Sequence, residues 1–136
     1  MPEPPLISEQ QISLPYTYTA GAAQRAGLNG LREGRIIASH GGPHTVVPAR
    51  PFAADGTALT ETIELDQQGV LEAVTVGHHL EGTPAFGLIR LPGATTLLLH
   101  RLGGGAERLR PGDAVVAEWR QERSGSILDI DHFRPA

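Results

Sequence analysis

Five runs decide the fold: Val70-Leu-Glu-Ala-Val-Thr-Val76, Pro84 to Leu91, Thr95 to Leu102, Ala114-Val-Val-Ala-Glu-Trp-Arg120 and Ile127-Leu-Asp-Ile-Asp-His-Phe133. Each is short and rich in branched residues, and turn sequences separate them. Leu91-Pro-Gly-Ala94 suits a turn with glycine at positive φ, and Gly103-Gly-Gly105, Leu109-Arg-Pro-Gly-Asp113 and Ser124-Gly125 break the chain again. Period-two alternation puts Val70, Val74 and Val76 on one face of the first run, with Glu72 among them. It puts Val115, Ala117 and Trp119 together on the fourth. Five short strands at this spacing predict a small closed barrel, with a five-stranded Greek-key barrel of OB type as the leading candidate. The strand count is equally compatible with other small barrels.

Upstream the texture differs. Met1 to Pro15 holds four prolines and reads as an extended arm. Ala20, Ala23, Leu28 and Leu31 recur near helical spacing, so a helix is expected from about Thr19 to Glu33, closed by Gly34 as its C′ glycine. Gly21, Gly27 and Gly30 would each cost about 1 kcal/mol against alanine inside it. Such a helix needs packing, either on its own domain or on a partner. Tyr16, Tyr18, Ala20, Ala23, Leu28 and Leu31 are the residues a partner would meet. Ser39 to Gly56 is crowded with glycine and proline and predicts loops and a short hairpin, with Val46, Val47 and Phe52 available for burial. The organisation expected is an arm and docking helix over 1–34, a second segment over 35–66 and the barrel over 67–136.

Composition narrows the chemistry. The chain has 136 residues, no cysteine and a formal charge of -4. At this length roughly two-thirds of the unfolded surface can be buried, enough for a core without staples. Without cysteine there is no disulfide framework, Cys-ligated zinc, iron–sulfur cluster or thiol nucleophile. All 11 basic residues are arginine, and the negative balance argues against nucleic acid as main partner. The start of the chain lacks a basic and apolar leader, and no apolar run reaches the ~18 residues of a membrane span, so no membrane association and a cytoplasmic location are expected.

No catalytic set emerges from the residues. His40 and His44 flank Gly41-Gly-Pro43 and, with a carboxylate, could form a zinc site, but loop histidines are the simpler reading. His78 and His79 are neighbours, and one metal would not take both from a strand. Ser126, Asp129, Asp131 and His132 invite a hydrolase reading, yet no Gly-x-Ser-x-Gly elbow is present. Gly103 to Gly105 lacks the Lys-Ser/Thr of a phosphate loop. Arg90, Arg101 and Arg120 sit in strand runs, where they would either meet an anionic ligand or face solvent.

The order of several strings resembles the zinc-ribbon/OB-fold, acyl-CoA-associated family known as domain of unknown function thirty-five. They are Leu31-Arg-Glu-Gly-Arg-Ile-Ile37, Val47-Pro-Ala-Arg-Pro-Phe52, Gly69 to Val76 with His78-His79, Ala85-Phe-Gly-Leu-Ile-Arg-Leu91, Leu109 to Asp113 and Gly125 to Phe133. The resemblance covers about Tyr16 to Pro135 and implies a mainly β chain: an N-terminal helix, a rubredoxin-like ribbon and an OB-fold. Family members usually carry two Cys-x-x-Cys knuckles. Here Ser39 and Gly42 fall near the first, and Ala53 and roughly Gly56 near the second. The ribbon is therefore expected to be degenerate and metal-free, with Val46, Val47, Pro48 and Phe52 as its available contacts. The family implies a non-catalytic subunit with no cofactor of its own. It would pair in a hetero-oligomer with a thiolase-fold or lipid-transfer-like catalytic subunit acting on acyl-CoA thioesters, a steroid side-chain aldolase among the options. Arg50, Arg90 and Arg101 are the candidates for CoA phosphates, because guanidinium matches phosphate geometry. The alternative is a free-standing OB module binding single-stranded nucleic acid, a reading weakened by 4% aromatics.

Overall fold

The computed structural model describes residues 21–136. The expected interface residues Tyr16, Tyr18 and Ala20 thus lie outside the described residues. A helix, α1 (Ala22–Arg32), leads into β1 (Ile36–Gly41), β2 (His44–Val46) and β3 (Glu61–Leu65). The barrel strands follow: β4 (Gln68–Val76), β5 (Ala85–Arg90), β6 (Leu98–Leu102), β7 (Ala114–Trp119) and β8 (Ile130–Pro135), with 3₁₀ turns at Ala106–Arg108 and Ile127–Asp129.

Glycine chemistry sets both ends of α1. Gly21 is the N-cap, in extended backbone, so it is not the helix-interior residue expected from spacing. Gln24 reaches back, its Oε1 accepting from the Gly21 N–H at 3.4 Å. At the other end Gly34 takes φ +75°, its N–H donating to Leu31 O at 3.0 Å while Arg35 N–H donates to Gly30 O at 2.8 Å. That pair of bonds is the Schellman arrangement, open to Gly34 because it has no Cβ. Gly30 is required by packing, since a Cβ there would lie 2.4 Å from Ile37 Cγ1. The small-residue face of α1 thus rests on the chain's own β1.

Three strands in the order β2-β1-β3 form a small antiparallel sheet, and β4-β5-β6-β8-β7 close into a barrel. β6 and β8 meet in parallel at Leu102 and Phe133, and the other barrel pairs are antiparallel. The barrel has the strand order of the OB-fold expected above. One contiguous core joins the two parts: Leu31, Ile36, Ala38, Val47 and Leu65 pack with Leu71, Ile89, Leu98, Val115, Ile130 and Phe133 of the barrel. Each of the larger side chains among them contributes about 1.5–3 kcal/mol of burial.

Four details differ from the sequence reading. Val70 is exposed and Leu71 fills the barrel; a bulge between Leu71 and Ala73 then shifts the alternation, so that Val74 packs against the core, while Val76 near the strand end is exposed. Ile127 to Asp129 is a 3₁₀ turn, so the last strand starts at Ile130. Arg120 lies just past β7. β3 was not legible, because it is an edge strand with Ile63 and its neighbours exposed and only Leu65 buried.

Candidate functional site

The ribbon segment is built on hydrogen bonds and a small apolar cluster. Ser39, on β1, is fully buried; its hydroxyl donates to Arg50 O at 2.7 Å and accepts from Arg50 N–H at 2.9 Å. One side chain thereby ties the first hairpin to the irregular segment that follows β2. Val46, Ala53 and Leu59 form a second core cluster. Val47 joins the main core, whereas Phe52 is 58% exposed and does not serve as the internal contact expected of it. At the tip, His44 Nε2 lies 2.8 Å from Asp55 Oδ2, and the Thr57 N–H donates to Asp55 Oδ1 at 3.0 Å. The Thr57 amide and hydroxyl, with His44, hold the Asp55 carboxyl down at about 2.

The residues at the family's knuckle positions do not fit a zinc ion. Ser39 alone among Ser39, Gly42, Ala53 and Gly56 has a side-chain ligand atom, and its proton and one of its two lone pairs are engaged by Arg50. The two turns still converge, since a Cβ at Gly42 would meet Thr57 Cγ2 at 3.5 Å. Among the described residues no three of His, Cys, Asp and Glu come together. His40 Nδ1 pairs with the Thr45 hydroxyl at 2.8 Å, and His78 and His79 are exposed in the turn after β4.

A clasp joins α1 to the barrel, built around Asp129, which is 3% exposed. Its carboxylate accepts from the backbone N–H groups of Ser124 at 2.9 Å, Gly125 at 2.8 Å and Ser126 at 3.0 Å. Burial alone would raise this carboxyl, but those three amides, helped by the Arg123 charge, hold it below the ordinary carboxylate range. The ordered loop then grips the helix end. Arg32 donates to Ser124 O at 3.2 Å, and Arg123 Nε donates to Arg32 O at 2.9 Å. The hydrolase grouping is thereby resolved into structure: Ser126 Oγ accepts from Leu128 N–H at 3.1 Å, and Asp131 accepts from His132 and Arg120.

The helix surface divides in two. Leu31 is 6% exposed and belongs to the core, so its side chain is not presented to a partner. Ala23 and Leu28 are half-buried. Ala22 and Ala23 border a shallow cleft with Pro51, Phe52, Ala58 and Leu59, and Phe52 is the largest side chain standing open there. On the other flank a cavity of about 250 Å³ lies between α1, β1 and the barrel.

The three candidate arginines are dispersed. Arg50 is exposed in the segment after β2. Arg90, at the end of β5, donates through Nε to Glu72 Oε1 at 2.9 Å. Arg101 is opposite Phe86, four residues along β5 from Arg90, on the outer barrel face. It lines a cleft with Arg110, Thr83 and Val74. One residue the sequence did not single out is His100, buried within β6, with Nε2 3.1 Å from Ile127 O and its ring edge-on to Phe133 at 5.5 Å. It links the barrel interior to the clasp, and its place in an apolar run gave no signal of that.

A chain of the Ltp2-ChsH2(DUF35) aldolase has the same architecture, with TM-score 0.66 and 19% identity over 88% of this chain and 98% of that one. The chain has the DUF35 fold. A DUF35-family protein of unknown function from Sulfolobus solfataricus is similar to it as well, with TM-score 0.64 and 20% identity over 85% of this chain and 87% of that one. No protein-family model matches the sequence, and no curated protein sequence does. The likeness is thus one of DUF35 fold, carried by helix, small sheet and barrel together.

Proposed function

We propose that this chain is a non-catalytic DUF35-type subunit. It docks on a thiolase-fold, lipid-transfer-like enzyme that makes or breaks carbon–carbon bonds in acyl-CoA thioesters, with a steroid side-chain aldolase within that range. The observation that carries the reading is the open apolar cleft at the start of α1, where Phe52 stands 58% exposed beside Pro51, Ala22 and Ala23. Aromatic side chains flanked by small apolar neighbours are typical anchors of protein interfaces. The full-length correspondence of fold with a chain of the Ltp2-ChsH2(DUF35) aldolase supports the same direction. In this reading Tyr16, Tyr18 and Ala20 extend the docking face from the N-terminal side, since tyrosine tolerates partly wet interfaces.

The test is affinity capture of the tagged full chain from its native cells, with subunits identified by mass spectrometry. Stoichiometric recovery of a thiolase-fold protein is expected, and recovery of the chain alone or with nucleic acid overturns the reading. Phe52→Asp should lower the affinity of the complex about tenfold or more, as loss of a central anchor does. The purified complex should bind an acyl-CoA, and Arg50→Gln or Arg101→Gln should weaken that binding in an equilibrium titration. Arg90→Gln should do less, because Glu72 already engages Arg90 at 2.9 Å. Unchanged affinity in all three removes these arginines from the phosphate site.

A further inference from the structure

At one end of the barrel β4 stops, β5 begins and β6 stops, and the cleft that holds Arg101 lies there. It measures about 470 Å³, a size typical of small-molecule pockets, which commonly form at barrel mouths. Its floor is apolar. Val74, Leu102 and Leu109 line it, and all three pack in or against the main core. Val76 borders it and is 41% exposed.

The rim is cationic. Arg101, on β6, and Arg110, nine residues later, border the same cleft. Among the described residues the Arg101 guanidinium has no hydrogen-bond or ion-pair partner. Arg110 is held in place, since its Nη1 donates to Glu107 O at 3.3 Å and to Leu109 O at 2.9 Å. Its Nε and Nη2 have no partner among the described residues, so part of the planar fork is free to meet an oxyanion. Glu107 borders the cleft as well, and two arginines against its carboxylate leave the described rim one net positive charge. That balance suits a monoanion better than a phosphate dianion. Thr83, across the mouth, takes φ +42°, a left-handed conformation unusual for a β-branched residue. Its turn holds it there, with Thr83 N–H donating to Leu80 O at 3.2 Å and Gly77 N–H to Pro84 O at 2.8 Å. Backbone held in this way clusters at ligand sites.

We propose that this barrel mouth binds a small monocarboxylate that carries an apolar chain. The carboxylate meets Arg101 and Arg110 at the rim, and the chain lies along Val74, Leu102 and Leu109. Charge alone or an apolar chain alone uses only half of the site. The inference stands on the cleft and its charges and not on the thiolase-partner reading. Its test uses the isolated chain without any CoA compound, so either can fail without the other.

Isotope-labelled full-length chain is titrated with octanoate and, separately, with acetate, octylammonium and inorganic phosphate. Octanoate should give saturable shifts at the amides of Val74, Thr83, Leu102 and Leu109, and the other three should bind about tenfold more weakly or not at all. Arg101→Gln should weaken octanoate by about three- to fivefold, the scale of an ion pair at a surface. Arg110→Gln should do the same. Arg25→Gln, a charge lost from the exposed face of α1, should leave the affinity unchanged. If Arg110→Gln disturbs the turn it braces, Arg101→Gln decides alone, because Arg101 braces nothing among the described residues. Octanoate shifts that never saturate, or that fall away from the cleft, overturn the proposal. So does unchanged affinity in Arg101→Gln. Equal binding of octylammonium makes the site a purely apolar one, and equal or tighter binding of acetate or phosphate makes it a simple anion site; either result also overturns it.

Discussion

Asp129→Ala is expected to lower the stability of the folded chain by about 3 kcal/mol, on the scale of hydrogen bonds to a buried charge. The carboxylate satisfies three consecutive backbone amides, and alanine leaves them without a partner in a part-buried loop. The loss should propagate to α1, because the same loop offers Ser124 O to Arg32 and carries the Arg123 that grips Arg32 O. Chemical denaturation read by circular dichroism measures the first effect, and amide exchange at Leu28 to Arg32 measures the second. The pH dependence gives an internal control. The carboxyl is depressed in the folded state, so its contribution is complete above its unfolded value near 3.9 and is lost as pH falls through the lower folded value. The gap between wild type and Asp129→Ala should therefore be constant at neutral pH and close below about pH 4. A gap that persists unchanged in acid counts against the clasp.

Ser39→Ala is expected to cost about 2–3 kcal/mol, since it leaves both the N–H and the C=O of Arg50 without their partner in the ribbon interior. The effect should be local. Exchange should accelerate from about Ser39 to Gly56, while Phe133 and the barrel remain protected. In the proposed metal-free ribbon, a chelator leaves both proteins unchanged and elemental analysis of protein made without a metal-affinity tag finds no stoichiometric zinc. Zinc at one equivalent in wild type, or loss of ribbon protection on chelation, would defeat it. A zinc ribbon draws its folding energy from metal binding. Here a buried hydroxyl and the cluster of Val46, Ala53 and Leu59 occupy that place.

The two predictions depend on residues that local pattern treated as strand or as relic. Asp129 stands in Ile-Leu-Asp-Ile, which alternates well enough to read as strand. Its role comes from a loop three to five residues earlier folding over it. Ser39 stood out only as a missing cysteine. What it does depends on where Arg50 sits, eleven residues later and across a hairpin. Polar side chains that bond to distant backbone leave no periodic signature, and for that reason the clasp, the Ser39 bridge and His100 were all hidden.

What the sequence by itself determined was the barrel and the close of the helix. Short branched runs divided by Pro-Gly and Gly-Gly turns admit little besides a small β barrel, and Gly34 after Leu31 admits a Schellman stop, because both follow from local sterics and from burial on one face. What only the tertiary structure decided was which face of β4 looks inward, that α1 packs on its own β1, and which polar groups hold the ribbon and the clasp. A one-residue bulge reverses a strand's faces without altering its composition, and a hydrogen bond between distant segments exists only once the fold has brought them together.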